Sequence, residues 1–314
     1  MTDGCGRTIR YLRLSVTDLC NYRCRYCMPE AGVKKRPHRD ILSVEECVEI
    51  GRAAVRCGVK KIRLTGGEPL VRRGILDICR GLSAIDGLDE LCLTTNGSLL
   101  PALAAPLRDA GVTRLNVSLD TLRPERFARI TRVGSLSDVL AGLDAAERAG
   151  FSHLKCNVVL IGGFNDDEIE PLVGLTKDRP WEVRFIELMP MGQCANWDRE
   201  RFLPAEEILR RVPALRPCDP SGTAARYRVP GWAGTVGLIE PLSHRFCDRC
   251  DRIRVTADGR LKPCLHSAEE LPLRGLHGAE LEDAIRRGAA RKPERHHLTD
   301  GGSETARDMN EIGG

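Results

Sequence analysis

The chain carries two cysteine triplets, one near each end. Cys20, Cys24 and Cys27 form a C-x3-C-x2-C run, and Cys247, Cys250 and Cys264 form a C-x2-C-x13-C run. Neither has a fourth cysteine at matching spacing. A structural zinc or iron–sulfur site normally takes four protein ligands. Three leave one coordination position free for a small molecule. Two such triplets therefore predict two metal centres, each holding its own small ligand at an open position. Zinc is the alternative, with water in the fourth position or with a fourth ligand from elsewhere. His38 is a candidate for the first triplet, and Cys218, His244 or His266 for the second.

Bulk properties narrow the setting. With 314 residues the chain can bury a substantial core as one large or two smaller domains. A net charge of +4 argues against a dedicated nucleic-acid binder and permits an anionic small ligand. The start, MTDGCGRTIR, lacks the apolar stretch of a signal peptide. No run of about 18 apolar residues could span a bilayer. A cytoplasmic protein with reduced thiols is expected, in which metal binding or catalysis is favoured over disulfides. Cys5, Cys47, Cys57, Cys79, Cys92, Cys156, Cys194 and Cys218 lie mostly in apolar stretches and read as small core residues.

Strand and helix patterns alternate from about Tyr11 to Leu188. The predicted strands are Tyr11–Thr17, Lys60–Thr65, Glu90–Thr94, Arg114–Leu119, Leu154–Leu160 and Glu182–Leu188. A helix starts at Ser43, where Ser43 and Glu46 make a capping box. Others are predicted over Ile75–Ile85, Leu99–Ala110, Leu136–Ala149 and Asp166–Thr176. Such alternation implies a parallel sheet with helices outside, doubly wound or curled into an incomplete barrel. Pro213–Ala225 reads as a linker, so the expected division is 1–215 and 216–314. Beyond it, Arg252–Thr256 and Arg260–Leu265 around Ala257-Asp258-Gly259 read as a β-hairpin bearing the last triplet. The stretch Asp300–Gly314 is Gly-rich and aperiodic, which predicts a mobile end.

The unusual residues fall where ligands bind in such sheets, at the carboxyl ends of the strands. They are Cys20, the Gly66-Gly67-Glu68-Pro69 run, Thr94 to Gly97, Ser118, Asp120, Asn157 and Met189. Strand alternation adds a second signal. Leu12, Leu14 and Val16 share one face, and Arg13 lies on the other. Arg63, Lys155 and Arg184 fall on the equivalent inward face of their strands. A closed, packed barrel would be filled with Val, Ile and Leu. Inward cations instead predict a solvated cavity for a strongly anionic ligand such as a polyphosphate. The alternative is a set of salt bridges to Glu68, Asp120 and Glu187. No G-x4-G-K-[ST] loop is present, so a nucleotide would be gripped by side chains. Arg252 and Arg254, just past Cys250, would add two cations or else lie exposed on an edge strand.

The Cys20–Cys24–Cys27 spacing, Tyr26 before the last cysteine and the GGEP strand end together resemble the radical S-adenosylmethionine superfamily. LRLSVTDLCNYRCRYCMPE, IRLTGGEPLVRR, LTTNG, LNVSLDTL, VRFIELMPMG, FCDRCDRIRVTADGRLKPCL and the final Gly313-Gly314 narrow the resemblance to the GTP 3′,8-cyclase family of molybdenum cofactor biosynthesis. It spans nearly the whole chain. It implies an α/β fold, an incomplete (βα)6 TIM-type barrel with a C-terminal α+β domain carrying a second 4Fe-4S cluster. The implied cofactors are two 4Fe-4S clusters and S-adenosylmethionine. Cys20, Cys24 and Cys27 would hold the cluster that cleaves S-adenosylmethionine. Tyr26, Gly67, Ser118 and Met189 match positions that contact that cofactor. Arg13, Arg63, Thr94, Lys155, Arg184, Arg252, Ile253 and Arg254 match or adjoin GTP-contacting positions. Cys247, Cys250 and Cys264 would hold the second cluster, whose open iron binds guanine.

The implied reaction is abstraction of the 3′ hydrogen of GTP by a 5′-deoxyadenosyl radical and closure of C3′ on guanine C8. An electron and a proton then give 3′,8-cyclo-7,8-dihydro-GTP, with Arg252 or Arg254 assisting the proton. The implied partners are an electron donor and a downstream cyclic pyranopterin monophosphate synthase, with no nucleic acid and no membrane, in a monomer or homodimer. The Gly313-Gly314 tail would reach into the cavity or remain a free end. Two rivals compete: a radical enzyme of the same superfamily acting on a peptide, and an interaction module in which the last hairpin is a zinc ribbon.

Overall fold

The computed structural model describes residues 1–298 and 302–313. The six strands expected from alternation form β1 (Tyr11–Ser15), β2 (Lys61–Thr65), β3 (Glu90–Thr95), β4 (Arg114–Ser118), β5 (Lys155–Leu160) and β6 (Glu182–Glu187). They pair in parallel in sequence order. Between them run α1 (Val44–Arg56), α2 (Ile75–Ser83), α3 (Leu100–Asp109), α4 (Pro124–Thr131), α5 (Leu136–Arg148) and α6 (Ile169–Gly174). The capping box is present: Ser43 Oγ accepts from the Glu46 amide at 3.1 Å, and the Glu46 carboxylate accepts from the Ser43 amide at 2.7 Å.

Strand period sorts the side chains. Leu12, Leu14, Ile62, Leu64, Leu115, Val117, Cys156, Val158, Val183 and Phe185 are almost fully buried in the main hydrophobic core. Each large aliphatic buried this way is worth roughly 1.5–3 kcal/mol over an exposed one. Cys47, Cys57, Cys79, Cys92, Cys156 and Cys194 are also buried, whereas Cys5 is exposed and Cys218 half-buried.

The sheet is larger than the alternating segment alone predicts. β9 (Thr235–Ile239) pairs parallel to β6, and β10 (Arg252–Val255) pairs parallel to β1. The parallel run thus has a strand from the C-terminal third on each side. Hairpins finish both flanks. β10 turns back into β11 (Arg260–Lys262) and then β12 (Leu271–Pro272), as expected for the last triplet. On the other flank β7 (Arg216–Ser221) and β8 (Ala224–Arg228) pair antiparallel and join β9. The expectation of a linker over Pro213–Ala225 is therefore corrected: its Pro and Gly serve an edge hairpin with an irregular register between Cys218 and Ser221.

The strand order is β12-β11-β10-β1-β2-β3-β4-β5-β6-β9-β8-β7. The sheet curls far enough that its two flanks touch. Arg252 Nη2 on β10 donates to Thr223 Oγ1, in the β7–β8 turn, at 2.5 Å. The expected mobile end is also corrected for the described residues 302–313. Met309–Ile312 is a helical turn whose Asp308 and Glu311 make a reciprocal capping box. Asp300, Gly301 and Gly314 lie outside the described residues. No helix among the described residues is long and apolar enough to cross a membrane.

Candidate active site

The concave face of the sheet encloses a cavity of roughly 460 Å³. Of the strand-end residues singled out from the sequence, Cys20, Gly66, Gly67, Glu68, Thr94, Thr95, Asn96, Ser118, Asp120, Asn157 and Met189 lie on its wall, whereas Pro69 and Gly97 do not. So do Cys24, Cys27, Cys247, Cys250 and Cys264, bringing the two triplets to one space although more than two hundred positions separate them in sequence.

The first triplet sits in the loop after β1, held mainly by backbone. The Gly67 amide donates to Thr17 O at 2.8 Å and the Glu68 amide to Leu19 O at 2.8 Å. A Cβ at Gly67 would stand 2.5 Å from Leu19 O and 2.6 Å from Asp18 O, so only glycine permits this approach. Glu68 ties the same corner to the end of β3, accepting from Thr95 Oγ1 at 2.8 Å and the Asn96 amide at 2.6 Å. Burial raises its carboxyl to about 7 against these bonds. The amide of Tyr22 donates to Cys20 Sγ at 3.3 Å. Tyr26 donates its hydroxyl to Asp120 Oδ2 at 2.7 Å, and burial lifts Asp120 to about 6.

The donor chemistry fits a cationic iron–sulfur group. Burial pushes the Cys20 thiol up to about 11. It also raises Cys24 and Cys27, each further opposed by a neighbouring thiolate. Three adjacent, half-buried thiolates are tolerable only around compensating positive charge, which a cluster of iron ions brings. Neighbouring N–H donors to sulfur are the usual outer support of such groups.

The second triplet is fastened differently. Cys247 opens a 3-10 turn, Cys247–Arg249, and Cys264 follows β11. Arg7, from the other end of the chain, donates to Cys247 O at 2.7 Å, Glu294 O at 2.9 Å and Pro293 O at 2.7 Å, and pairs with Asp3 at 2.6 Å. Lys292 donates to Arg252 O at 2.9 Å and Pro263 O at 3.0 Å. No sequence motif marks Lys292–His297, yet Lys292, Pro293, Arg295 and His296 border the cavity. Of the fourth-ligand candidates, His266 borders it beside Cys264, and its Nδ1 lies 3.2 Å from Ser303 Oγ. His38, Cys218 and His244 do not border it.

Between the triplets lie the cations. Arg13, Arg63, Lys155, Arg184, Arg252 and Arg254 all border the cavity. Ile253, between the last two, turns its side chain into the hydrophobic core and is 1% exposed, so only its backbone can face a ligand. The salt-bridge alternative names the wrong acids. Glu187 accepts from the Ala205, Leu242 and Ser243 amides, and Glu68 and Asp120 are engaged as above. The carboxylate that does pair is Glu182, which bridges Lys155 and Arg184. Burial lowers Lys155 to about 8, with Arg184 adding repulsion. Burial and then Arg254 bring Arg13 far below the usual guanidinium range. Tyr11, raised by burial, is nonetheless drawn down to about 8 by Arg63, Arg13 and Arg252. Its hydroxyl accepts from Arg63 Nε at 2.5 Å.

The tail closes one side. Arg254 Nη1 donates to Gly313 O at 2.7 Å, and Gly313 packs against Thr65 and Ser15, where a Cβ would meet Thr65 Oγ1 at 2.4 Å. Asn116 Oδ1, Asn157 Oδ1 and Arg252 Nε, all on cavity residues, are buried without a hydrogen-bond partner among the described residues. These orphaned groups suit a polar ligand.

Comparison with known proteins agrees with this arrangement. Residues 14–176 match the Radical SAM superfamily model and residues 181–298 the Molybdenum Cofactor Synthesis C model. A GTP 3′,8-cyclase of Alkaliphilus metalliredigens is 48% identical over the full length of both chains. One from Geobacter sulfurreducens is 49% identical over 95% of this chain and 94% of its own. Among solved structures, Streptococcus suis SuiB superimposes with a TM-score of 0.60 at 14% identity, covering 96% of this chain and 76% of SuiB. At that identity the likeness speaks for the fold alone. With both triplets, the GGEP corner and full-length relatives in agreement, this chain belongs to the GTP 3′,8-cyclase family of radical S-adenosylmethionine enzymes.

Proposed function

We propose that the chain converts GTP to 3′,8-cyclo-7,8-dihydro-GTP, the first step of molybdenum cofactor biosynthesis, and that the cavity between the triplets is where this happens. The observation that carries the reading is the convergence on one cavity of both triplets and of the cations Arg13, Arg63, Lys155, Arg184, Arg252 and Arg254. A 4Fe-4S cluster at Cys20, Cys24 and Cys27 would supply, with S-adenosylmethionine, the radical that takes the 3′ hydrogen. Tyr26, Gly67, Ser118 and Met189, around that triplet, would seat the cofactor. Arg13, Arg63, Thr94, Lys155 and Arg184 would hold the sugar and phosphates. Cys247, Cys250 and Cys264 would hold the second cluster, with Arg252, the Ile253 backbone and Arg254 at the purine end.

A recessed site would limit how far solvent and wrong donors reach a reactive carbon. The final proton would come from the Arg252–Arg254 pair. Burial and the charge of Arg252 lower Arg254 to about 10, so it releases a proton more readily than an ordinary guanidinium. An electron donor would complete the reduction, and the product would pass to a cyclic pyranopterin monophosphate synthase. Residues 1–215 would form the radical barrel and 216–314 the part carrying the second cluster.

The test is anaerobic incubation of the protein with GTP, S-adenosylmethionine and a strong reductant, followed by mass spectrometry of the nucleotide. A cyclised dihydro product and 5′-deoxyadenosine are expected. Zinc without iron in the purified protein, or a peptide substrate displacing GTP, would remove the reading. About eight irons per chain, with broad absorption near 400 nm, are expected for two clusters.

A further inference from the structure

A carboxylate buried among the cations of a polyanion site works against ligand binding by simple charge. Glu182 is such a group. It opens β6, and its side chain is 9% exposed. Its Oε2 accepts from Lys155 Nζ at 2.9 Å and its Oε1 from Arg184 Nε at 2.5 Å, while Arg226 Nε on β8 stands 3.9 Å away. β5 and β6 place Lys155 directly beside Glu182, and Arg184 two residues further along the same face. The two cations repel each other, and both have lost hydration. A carboxylate that accepts from both removes that conflict and fixes their side-chain directions.

We propose that Glu182 is a positioning residue for nucleotide recognition, holding Lys155 and Arg184 as adjacent charged donors aimed at the phosphates. This rests on the reading that Lys155 and Arg184 grip the phosphates of GTP. Lys155 faces Glu182 and Arg184 from β6 and Lys61 from β2. β4 sets uncharged Asn116 opposite it in register. Glu182 is therefore the neighbour that favours the lysine's charged form. GTP affinity should fall as pH rises through the Lys155 pKa, because only the protonated amine attracts phosphate. Removing Glu182 lowers that pKa, so the fall should begin at a lower pH.

The experiment is equilibrium binding of GTP and of guanosine to the anaerobic holoenzyme and its Glu182→Gln variant between pH 6.5 and 9. At pH 8 the variant should bind GTP about fivefold more weakly, approaching tenfold at pH 9, the effect of roughly one pKa unit on a lysine near 8, and guanosine equally well. At pH 6.5 the gap should close. In a Lys155→Met background the Glu182→Gln change should no longer move the pH profile. Equal or tighter GTP binding at every pH would overturn the proposal, leaving Glu182 as a repulsive charge. Equal loss for GTP and guanosine at every pH would also overturn it, since that marks a purely structural residue. If the unaltered enzyme bound guanosine as tightly as GTP, the phosphate reading itself would fail and carry the proposal down with it.

Discussion

The two cysteine triplets face the same cavity but differ in what ties them down. The first is tied to the sheet largely by main chain: Gly67 and Glu68 bond to the carbonyls of the cysteine loop, with no room for a side chain at Gly67. The second adds long side chains, Arg7 from one end of the chain and Lys292 from the other, to main-chain bonds from Arg10 and Tyr11 to Asp251. Main-chain bonding makes the first loop part of the sheet that carries it. Side-chain bonding makes the second depend on residues far away in sequence. The two centres can therefore be lost independently, and by substitutions in different places.

The largest expected effect is Cys24→Ser, which should abolish S-adenosylmethionine cleavage and remove about half the iron; 5′-deoxyadenosine formation at the unaltered rate would break the assignment. Next is Cys250→Ser, which should leave cleavage measurable by 5′-deoxyadenosine release yet stop cyclisation. Normal product by mass spectrometry would erase the distinction between the centres. Arg7→Gln sharpens the contrast in fastening. It uncouples a buried pair with Asp3 and should cost about 3 kcal/mol or more in chemical denaturation. It should also deplete iron from the second centre before the first, as read by electron paramagnetic resonance. The smallest effect is Lys155→Ala, expected to weaken GTP about tenfold, or ~1.4 kcal/mol, and guanosine hardly at all in direct binding. Equal weakening of both would make Lys155 structural.

Local patterns were legible in the sequence, and distant ones were not. Period-two alternation placed Arg13, Arg63, Lys155 and Arg184 on one face because a strand sends successive side chains to opposite sides. The same rule puts Glu182 on the face of Arg184, so the bridging acid is readable from the strand, whereas Glu68, Asp120 and Glu187 bond elsewhere. Asp308 and Glu311 carried a readable capping box inside a stretch dismissed for its glycines. The hairpin at Arg216–Arg228 was misread because Pro, Gly and polar residues suit an edge hairpin as well as a linker. Nothing local announces that Arg7 reaches Cys247, 240 residues away. Such contacts are set by how the sheet closes, which no window of sequence contains.

The joining of β9 to β6 and β10 to β1 has a practical meaning for anyone dissecting the molecule. Cutting after residue 215 does not release a self-sufficient half. It strips a neighbour from each margin of the parallel array and bares two rows of unsatisfied amides and carbonyls, the template on which chains stick to one another. The last third of the polypeptide thus acts as a pair of bookends, one at each margin of the parallel strands.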